Sequence, residues 1–382
     1  MKVIDEPRKA TTDLPEVQGL GTEALIKEAR QRQHRRRLAL LVVAIVVIAG
    51  ASTAVALVTN SPAAHKVTAP STKPRVAGPP MGRIVSLKLA GPLVVGPNGA
   101  LYVVDEQRHE VLVRLPNGQF RVVAGEGKDG YSGDGGPATK AALSNVSDIT
   151  FGRGGSLYIA DGGRVRVVNT PGIITTIAGD GHSGTVANGT AALSAPLNSL
   201  SSIAFSPSGE LYLATASQLL RLAPNDKLVT VRAVVRSGPR PGKFIPGEDA
   251  SIALDASGDL DVGSDYTGWS IYKVGHNGVA SYLGHARRSG GDVVVLQPGP
   301  GGIVEAESAS SIVRIAGNRL VTSYLFDKVP GTAWFTLTYF AIASNGTLYA
   351  DDVGTGGFQL YQQLTSVAHN HVAVLWQHRI TN

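Results

Sequence analysis

The chain of 382 residues contains no cysteine, 46 glycines and 21 prolines, which excludes disulfides, thiolate metal sites and cysteine nucleophiles and points to a turn-rich all-β body. Its formal charge of +6 is split between a tail, residues 1–37, with nine Lys/Arg and six Asp/Glu, and a body, residues 59–382, with 26 and 23. The body is thus near neutral, which argues against a nucleic-acid binder that would gather basic charge on one face.

Residues 1–37 are a basic, cytoplasmic-type tail. From Thr22 the text TEALIKEARQRQHRRR has good helix formers, with Glu23 and Glu28 early and Arg35, Arg36 and Arg37 last, an order that suits the helix dipole. The arginines meet an uncharged run from Leu38 to Val58. At about 1.5 Å per residue it reaches about 31 Å, the thickness of a bilayer core, so 38–58 is expected to be a single transmembrane helix. The basic flank orients it with the N-terminus in the cytoplasm and the body extracytoplasmic, as a single-pass integral protein of the cell membrane. The competing reading is a cleaved signal peptide with Ala54-Val55-Ala56 as the small-residue site, although such leaders are normally shorter. The arginines also serve simply to set topology and rest on anionic headgroups. Residues 59–81 form a Pro/Ala/Ser/Thr-rich linker, extended and semi-flexible.

From Gly82 the chain repeats. A glycine turn followed by an apolar pair recurs as Gly99-Ala-Leu101-Tyr102, Gly155-Ser-Leu157-Tyr158, Gly209-Glu-Leu211-Tyr212, Gly258-Asp-Leu260-Asp261, Gly301-Gly-Ile303-Val304 and Gly346-Thr-Leu348-Tyr349, at intervals of 56, 54, 49, 43 and 45 residues. A short apolar strand precedes each mark, such as ITF at 149–151, IAF at 203–205, IAL at 252–254 and VVVL at 293–296. One or two strands follow it, such as RVRVV at 164–168 and SQLLRL at 217–222. Four strands per 40–55 residues is the period of a propeller blade. A blade cannot bury both faces alone, but a ring of blades can. The expected fold is therefore all-β: a six-bladed β-propeller over 82–382, preceded by the transmembrane helix. RIVSLKL at 83–89 and HVAVLW at 371–376 compete to complete the last blade and close the ring.

These residues resemble the NHL-repeat family of β-propellers, with its apolar strand, Gly-x-Leu-Tyr-x-x-Asp and strand of alternating Arg and aliphatic residues. SLYIADGGRVRVV (156–168) carries Asp161 at the family's Asp, and LYVVDEQRHEVLVRL (101–115) carries Asp105. The loop GYSGDGGPATKAALSNVSDI (130–149) is similar to the linker between NHL blades in bacterial and teneurin-like propellers, and 178–203 repeats it with the proline motif eroded. The resemblance implies an external sensor or adhesion module.

In a propeller, the loops entering each blade and those after its second strand share one face. The long loops at 124–146, 179–200 and 236–249 therefore lie beside the short ones at 105–109 and 161–163, and Arg108, His109, Tyr131, Asp134, Arg164 and His182 converge on one rim as a candidate ligand-binding face. The same loops also read as tight turns in which glycine supplies positive φ and Asp bonds its own backbone. Asp105 and Asp161 are expected to accept backbone N–H bonds in the turn after the second strand. Asp255, Asp259, Asp261 and Asp265 offer hard oxygen ligands for calcium, without EF-hand spacing. His369 and His371 share one strand face at a ligand-like interval. No G-x-S-x-G elbow, phosphate loop or H-E-x-x-H helix is present. Asn145, Asn188 and Asn345 open N-glycosylation tripeptides, which matter only in a eukaryotic secretory pathway.

The expected function is binding of a protein, peptide or glycan on the loop-rich face, with no enzymatic activity, no cofactor and no nucleic-acid partner. The alternative is a propeller lyase or lactonase with a divalent metal in the central channel. It calls for inward His, Asp or Glu at the starts of several inner strands, whereas the predicted inner strands PLVV, ITF, IAF, IAL, VVVL and AIA are almost wholly apolar. A third reading, an envelope spacer, needs no distinctive loop face.

Overall fold

At Gly99, Gly155, Gly209 and Gly258, all at positive φ, the glycine turn reverses the chain and a strand opens two residues later, so that its alternating apolar residues present one side to a core. The glycines of the fifth and sixth marks lie outside the described residues. In the computed structural model the described residues are 83–85, 90–197, 199–236, 238, 241–264, 270–285, 295–298, 304–308, 311–325, 337–345, 347–352, 359–363 and 376–380. The predicted tail 1–37, span 38–58 and linker 59–81 lie outside them, as do His369, His371 and Asp265. Among the described residues no helix is long and apolar enough to cross a membrane.

Six sheets follow one another along the chain. The first runs, from inside to outside, Ala90–Val95, Leu101–Asp105, Glu110–Arg114, Phe120–Ala124 and then Ile84–Val85. The second is Val146–Phe151, Leu157–Asp161, Arg164–Val168 and Ile174–Ala178. The third is Leu200–Phe205, Leu211–Thr215, Leu219–Leu222, Lys227–Val231 and Thr190–Ala191. The fourth is Ser251–Leu254, Leu260–Ser264, Ser270–Val274, Val279–His285, Val234–Val235 and Gly242–Lys243. The fifth is Leu296–Pro298, Val304–Ser308, Ser311–Ala316 and Arg319–Leu325, and the sixth is Leu337–Ile342, Leu348–Asp352, Gln359–Gln363 and Trp376–Ile380. All pairings are antiparallel except that of Val234–Val235 with Val279–His285. The helices among the described residues are three single 3-10 turns.

Successive sheets bury their apolar faces against each other. The Tyr of one glycine mark meets the Phe ending the next inner strand edge-on: Tyr102 and Phe151 at 4.8 Å, Tyr158 and Phe205 at 4.7 Å, a favoured aromatic geometry. The inner strand of each sheet neighbours that of the next, and Leu337–Ile342 of the sixth returns against Ala90–Val95 of the first. Leu93, Leu101 and Val103 share one core with Ala341, Ala343 and Tyr349. The fold is all-β and propeller-like.

Two expectations are corrected. Residues 86–89 lie outside the described residues, and the described start of the segment at 83–89 does not complete the last sheet: Ile84 and Val85 pair with Arg121 and Phe120 at the outer edge of the first. It does what the linkers do elsewhere. Pro137 bridges Ile173 at the edge of the second sheet, and Thr190 and Ala191 pair with Leu228 and Lys227 at the edge of the third. Each of these three segments thus covers the exposed backbone of the sheet it is about to enter. At the other end Trp376–Ile380 is the fourth strand of the sixth sheet, so that sheet is completed by its own strand. The second correction concerns the inner strands, which begin earlier than the apolar text: VSDITF and LSSIAF, not ITF and IAF. Both have a β-bulge at their start, between Val146 and Asp148 and between Leu200 and Ser202. A bulge re-aims side chains, and here polar ones stand at the inner end of the sheets.

Candidate functional site

Five of the six predicted rim residues form one connected cluster at the second sheet. Tyr131, 46% exposed, lies with its ring under the Arg164 guanidinium at 3.9 Å, a cation–π contact. Its hydroxyl donates to Asp134 Oδ2 at 3.1 Å and meets Thr176 Oγ1 at 3.0 Å. Arg164 donates to the Asp180 carbonyl at 2.6 Å and more weakly to that of Gly162 at 3.5 Å. Asp180 in turn accepts the His182 backbone N–H at 2.8 Å, and the exposed His182 ring lies 3.4 Å from its carboxylate. His109, in the left-handed region at φ 52°, bonds the Ser144 carbonyl through Nδ1 at 3.0 Å. Arg108 stays at its own turn, 3.7 Å from Asp105.

The group that locks this cluster is Arg166, which the sequence pattern treated as one of several alternating arginines. It is fully buried. Nη1 donates to the Ala142 carbonyl at 2.9 Å and Asp161 Oδ2 at 3.1 Å, and Nη2 to the Ser132 carbonyl at 2.7 Å and Asp134 Oδ1 at 2.8 Å. A planar fork suits such divided bonding. Burial pushes the Asp134 carboxyl up, but hydrogen bonds from Thr176 and Arg166, with the arginine's charge, outweigh it and hold the group low. At Asp161 burial wins and the carboxyl is raised, even though the Ser144 N–H and Arg166 oppose it.

The expected turn role holds for Asp105, whose Oδ1 accepts the Arg108 N–H at 3.2 Å. Asp161 is corrected: it accepts from Ser144 at 2.6 Å, across to the loop entering its own sheet. The long loops are likewise tied by side-chain hydrogen bonds to the sheet they enter. Asp134 accepts the Thr176 N–H at 2.9 Å, and Asn188, its counterpart one repeat on, accepts that of Thr230 at 2.9 Å. Gln218 holds both the N–H and the carbonyl of Val186, at 2.7 and 2.9 Å.

The acidic hairpin of the fourth sheet already holds a cation. Lys273 Nζ lies 2.6 Å from Asp255 and 3.0 Å from Asp261, and His276 lies 2.9 Å from Asp259. Lys273 therefore stands where calcium would have to go. Among the described residues no three His, Cys, Asp or Glu side chains come together as a metal set.

A second feature lies at the starts of the inner strands, the end that the loop-rich rim shares. A cavity of about 420 Å³ is lined by residues of every sheet, including Pro92, Asp148, Ser202, Ser251, Leu296 and Tyr339. Asp148 sits in its wall. Its Oδ2 accepts the Ser202 hydroxyl at 2.7 Å and the Ile203 N–H at 2.9 Å, and Oδ1 accepts the Ile149 N–H at 2.8 Å. Desolvation exceeds these bonds and pushes the carboxyl up to about 6. The same position continues around the cavity: Ser202 Oγ accepts the Ile252 N–H at 3.2 Å, and Ser251 Oγ that of Leu296 at 3.0 Å. Side chains just before an apolar inner-strand residue thus clasp successive strands from the second sheet to the fifth. The sequence reading missed this ring because it started the strands at the apolar text. The residues it left out, Asp148, Ser202 and Ser251, are the polar ones.

Compared with known proteins, residues 114–188 match the family model of the teneurin NHL domain. No curated protein sequence matches the chain. Among solved structures, the chain is similar to a streptogramin B lyase at 11% identity, over 78% of this chain and 88% of that one, with a TM-score of 0.50. It is also similar to virginiamycin B lyase from Staphylococcus aureus (12% identity, 76% and 85% covered, TM-score 0.48) and to a gluconolactonase from Xanthomonas campestris (12%, 72% and 86%, 0.45). At such identities the likeness concerns the fold alone.

Proposed function

We propose that this chain is a membrane-anchored ligand-binding module. In this reading the segment 38–58 spans the cell membrane, residues 1–37 lie in the cytoplasm, and residues 82–382 form an extracytoplasmic six-bladed NHL-like propeller. Its loop-rich end holds a protein, peptide or glycan ligand, as a sensor or adhesion domain. The observation that carries the reading is the cavity of about 420 Å³ at that end, lined by all six sheets. Concave sites with convergent polar groups are where folds of this kind take ligands. Binding would use several contacts on a rigid scaffold, with no covalent step.

The test is photo-cross-linking in intact cells from a reactive residue placed at Tyr131, with a second placed at Ser208 in the hairpin at the opposite end of the third sheet. A discrete partner from position 131 alone is expected. Equal products from both positions, or none from either, would overturn the binding face. Protease added to intact cells should remove the body and spare an N-terminal tag; loss of the tag would overturn the orientation.

One observation favours the enzyme reading more than the sequence did: an acid, Asp148, does stand at the start of an inner strand and faces the cavity. Its two oxygens are, however, already occupied by Ser202, Ile203 and Ile149. Thermal unfolding with and without EDTA, then with Ca²⁺ or Zn²⁺ restored, separates the readings, because a ligand of the native state alone raises its stability. An unmoved midpoint is expected, and a metal-restored one would favour the lyase or lactonase.

A further inference from the structure

The cavity has a charge character that the rest of the body lacks. Among the described residues lining it are the acids Glu106, Asp148, Glu248 and Asp249, and no Lys, Arg or His. The body as a whole is nearly balanced, with 26 bases against 23 acids, so this segregation is local. Six acids elsewhere in the fold pair with cations: Asp134 and Asp161 share Arg166, Asp255 and Asp261 share Lys273, Glu110 has Arg83, and Glu210 has Arg221. Asp148 spends its oxygens on neutral donors, a hydroxyl and two backbone N–H groups. Among the described residues Glu106 and Glu248 form no ion pair. Partial desolvation first, and then the charge of the neighbouring Asp105, push the Glu106 carboxyl up, although the residue reaches solvent. Ser199, Ser201 and Tyr339 also line the space.

A bare metal ion fits this arrangement poorly, since the carboxylates stand around the wall and no three come together. A larger cation with several N–H donors and no acceptor suits a wall of carboxylates and hydroxyls. We propose that the cavity takes a cationic group on a flexible chain, an ammonium or guanidinium, held by Glu106 and Glu248, with Asp148 adding its charge to the wall while its oxygens stay bonded within the fold. A free polyamine and a Lys or Arg side chain of a peptide share this chemistry. The inference rests on the loop-rich end being the ligand-binding end, and it names the class of group bound there.

The experiment is calorimetric titration of the full chain in detergent, at low salt and pH 7.5, with spermidine, tetralysine, tetraglutamate and CaCl₂. The wild type is compared with Glu106→Gln and Glu248→Gln, both at exposed positions and both checked for an unchanged thermal midpoint. Spermidine or tetralysine should bind at one site, and whichever binds identifies the source. Each substitution should weaken binding by roughly two- to five-fold, the worth of one part-exposed charge pair. Added salt should weaken it further, as should pH 5, where Asp148 is protonated. The proposal is overturned if neither cation binds, if binding is indifferent to both substitutions, or if Ca²⁺ or tetraglutamate binds in their place. If the partner cross-linked from position 131 persists while both cations fail, only the charge class is wrong and the binding face stands.

Discussion

Arg166 joins two acids of opposite surroundings, and its removal separates their energetics. Asp161 is almost fully buried, whereas about a third of the Asp134 side chain is exposed. Arg166→Leu leaves Asp161 as an unpaired buried charge and frees the Ser132 and Ala142 carbonyls. It should cost about 3–5 kcal/mol in urea unfolding. Adding Asp161→Asn removes the stranded charge while keeping an acceptor for Ser144, so the double variant should be more stable than Arg166→Leu alone, a coupling that additive effects would not give. Asp148 makes a different prediction, one of sign. Its carboxyl is raised in the folded state, to about 6 from 3.8, so between those values the folded chain binds the extra proton. Its contribution to stability therefore grows as pH falls through about 6 and is level below about 4. Relative to Asp148→Asn, the wild type should gain up to roughly 3 kcal/mol between pH 7.5 and pH 4, the worth of about two pKa units. A thermal-midpoint difference that is flat with pH would contradict this. Asp134, held low by Thr176 and Arg166, runs the other way and loses its contribution only as pH falls through its depressed value.

At the scale of elements, the linkers hold the sheets by short nonlocal pairings, and the N-terminal segment can be tested as the first of them. Arg83 accepts the Val122 N–H on its carbonyl at 3.0 Å and pairs its guanidinium with Glu110, whose side chain is fully buried and whose Oε2 has no hydrogen-bond partner. Arg83→Ala should therefore destabilise the chain by about 1–3 kcal/mol, the penalty of an unsatisfied buried polar group. Adding Glu110→Gln should recover part of that loss in the same urea titration. An Arg83→Ala variant as stable as the wild type would mean that the segment is not a structural cap. The contrast with the strands shows what a sequence makes legible. The strands after the glycine marks, such as Leu101–Asp105, Leu157–Asp161 and Leu211–Thr215, were readable because turn chemistry and period-2 alternation are local. The caps at Ile84–Val85 and Thr190–Ala191 are two-residue pairings with partners about 35–40 residues away in the chain, and nothing in so short a text specifies a partner. Arg166 was hidden for a related reason: alternation puts it on the same strand face as Arg164, and only the loop folded back from 132–142 buries it. The Tyr131, Asp134 and Arg164 neighbourhood was legible from the propeller geometry, but the cavity acids were not, because Glu106, Asp148 and Glu248 come from three separate repeats, two of them from turns outside the strands.

For the whole molecule, the question is what holds the first sheet to the sixth. The sixth is completed by its own Trp376–Ile380, so among the described residues no strand is shared across that seam, and the contact rests on Leu93, Leu101 and Val103 packed with Ala341, Ala343 and Tyr349. Between the second and third sheets, by contrast, packing is reinforced by the Asp148 clasp on Ser202 and Ile203 and by Ser147 Oγ donating to the Leu200 carbonyl at 2.8 Å. The residue of the first sheet that matches Asp148 is Pro92, which has no side-chain acceptor. Leu93→Ala and Ile203→Ala both remove a buried aliphatic side chain, and each should cost about 2–5 kcal/mol in global unfolding. Their local consequences should differ. Loss of Leu93 weakens a seam held by side-chain packing, so native-state proteolysis should release C-terminal fragments from the sixth sheet well before the wild type does. Loss of Ile203 leaves the clasped strands bonded through their side chains and backbone, and should raise cleavage only in proportion to the global loss. Equal fragment patterns from two variants of equal stability would show that the junction of the first and sixth sheets is no weaker than any other.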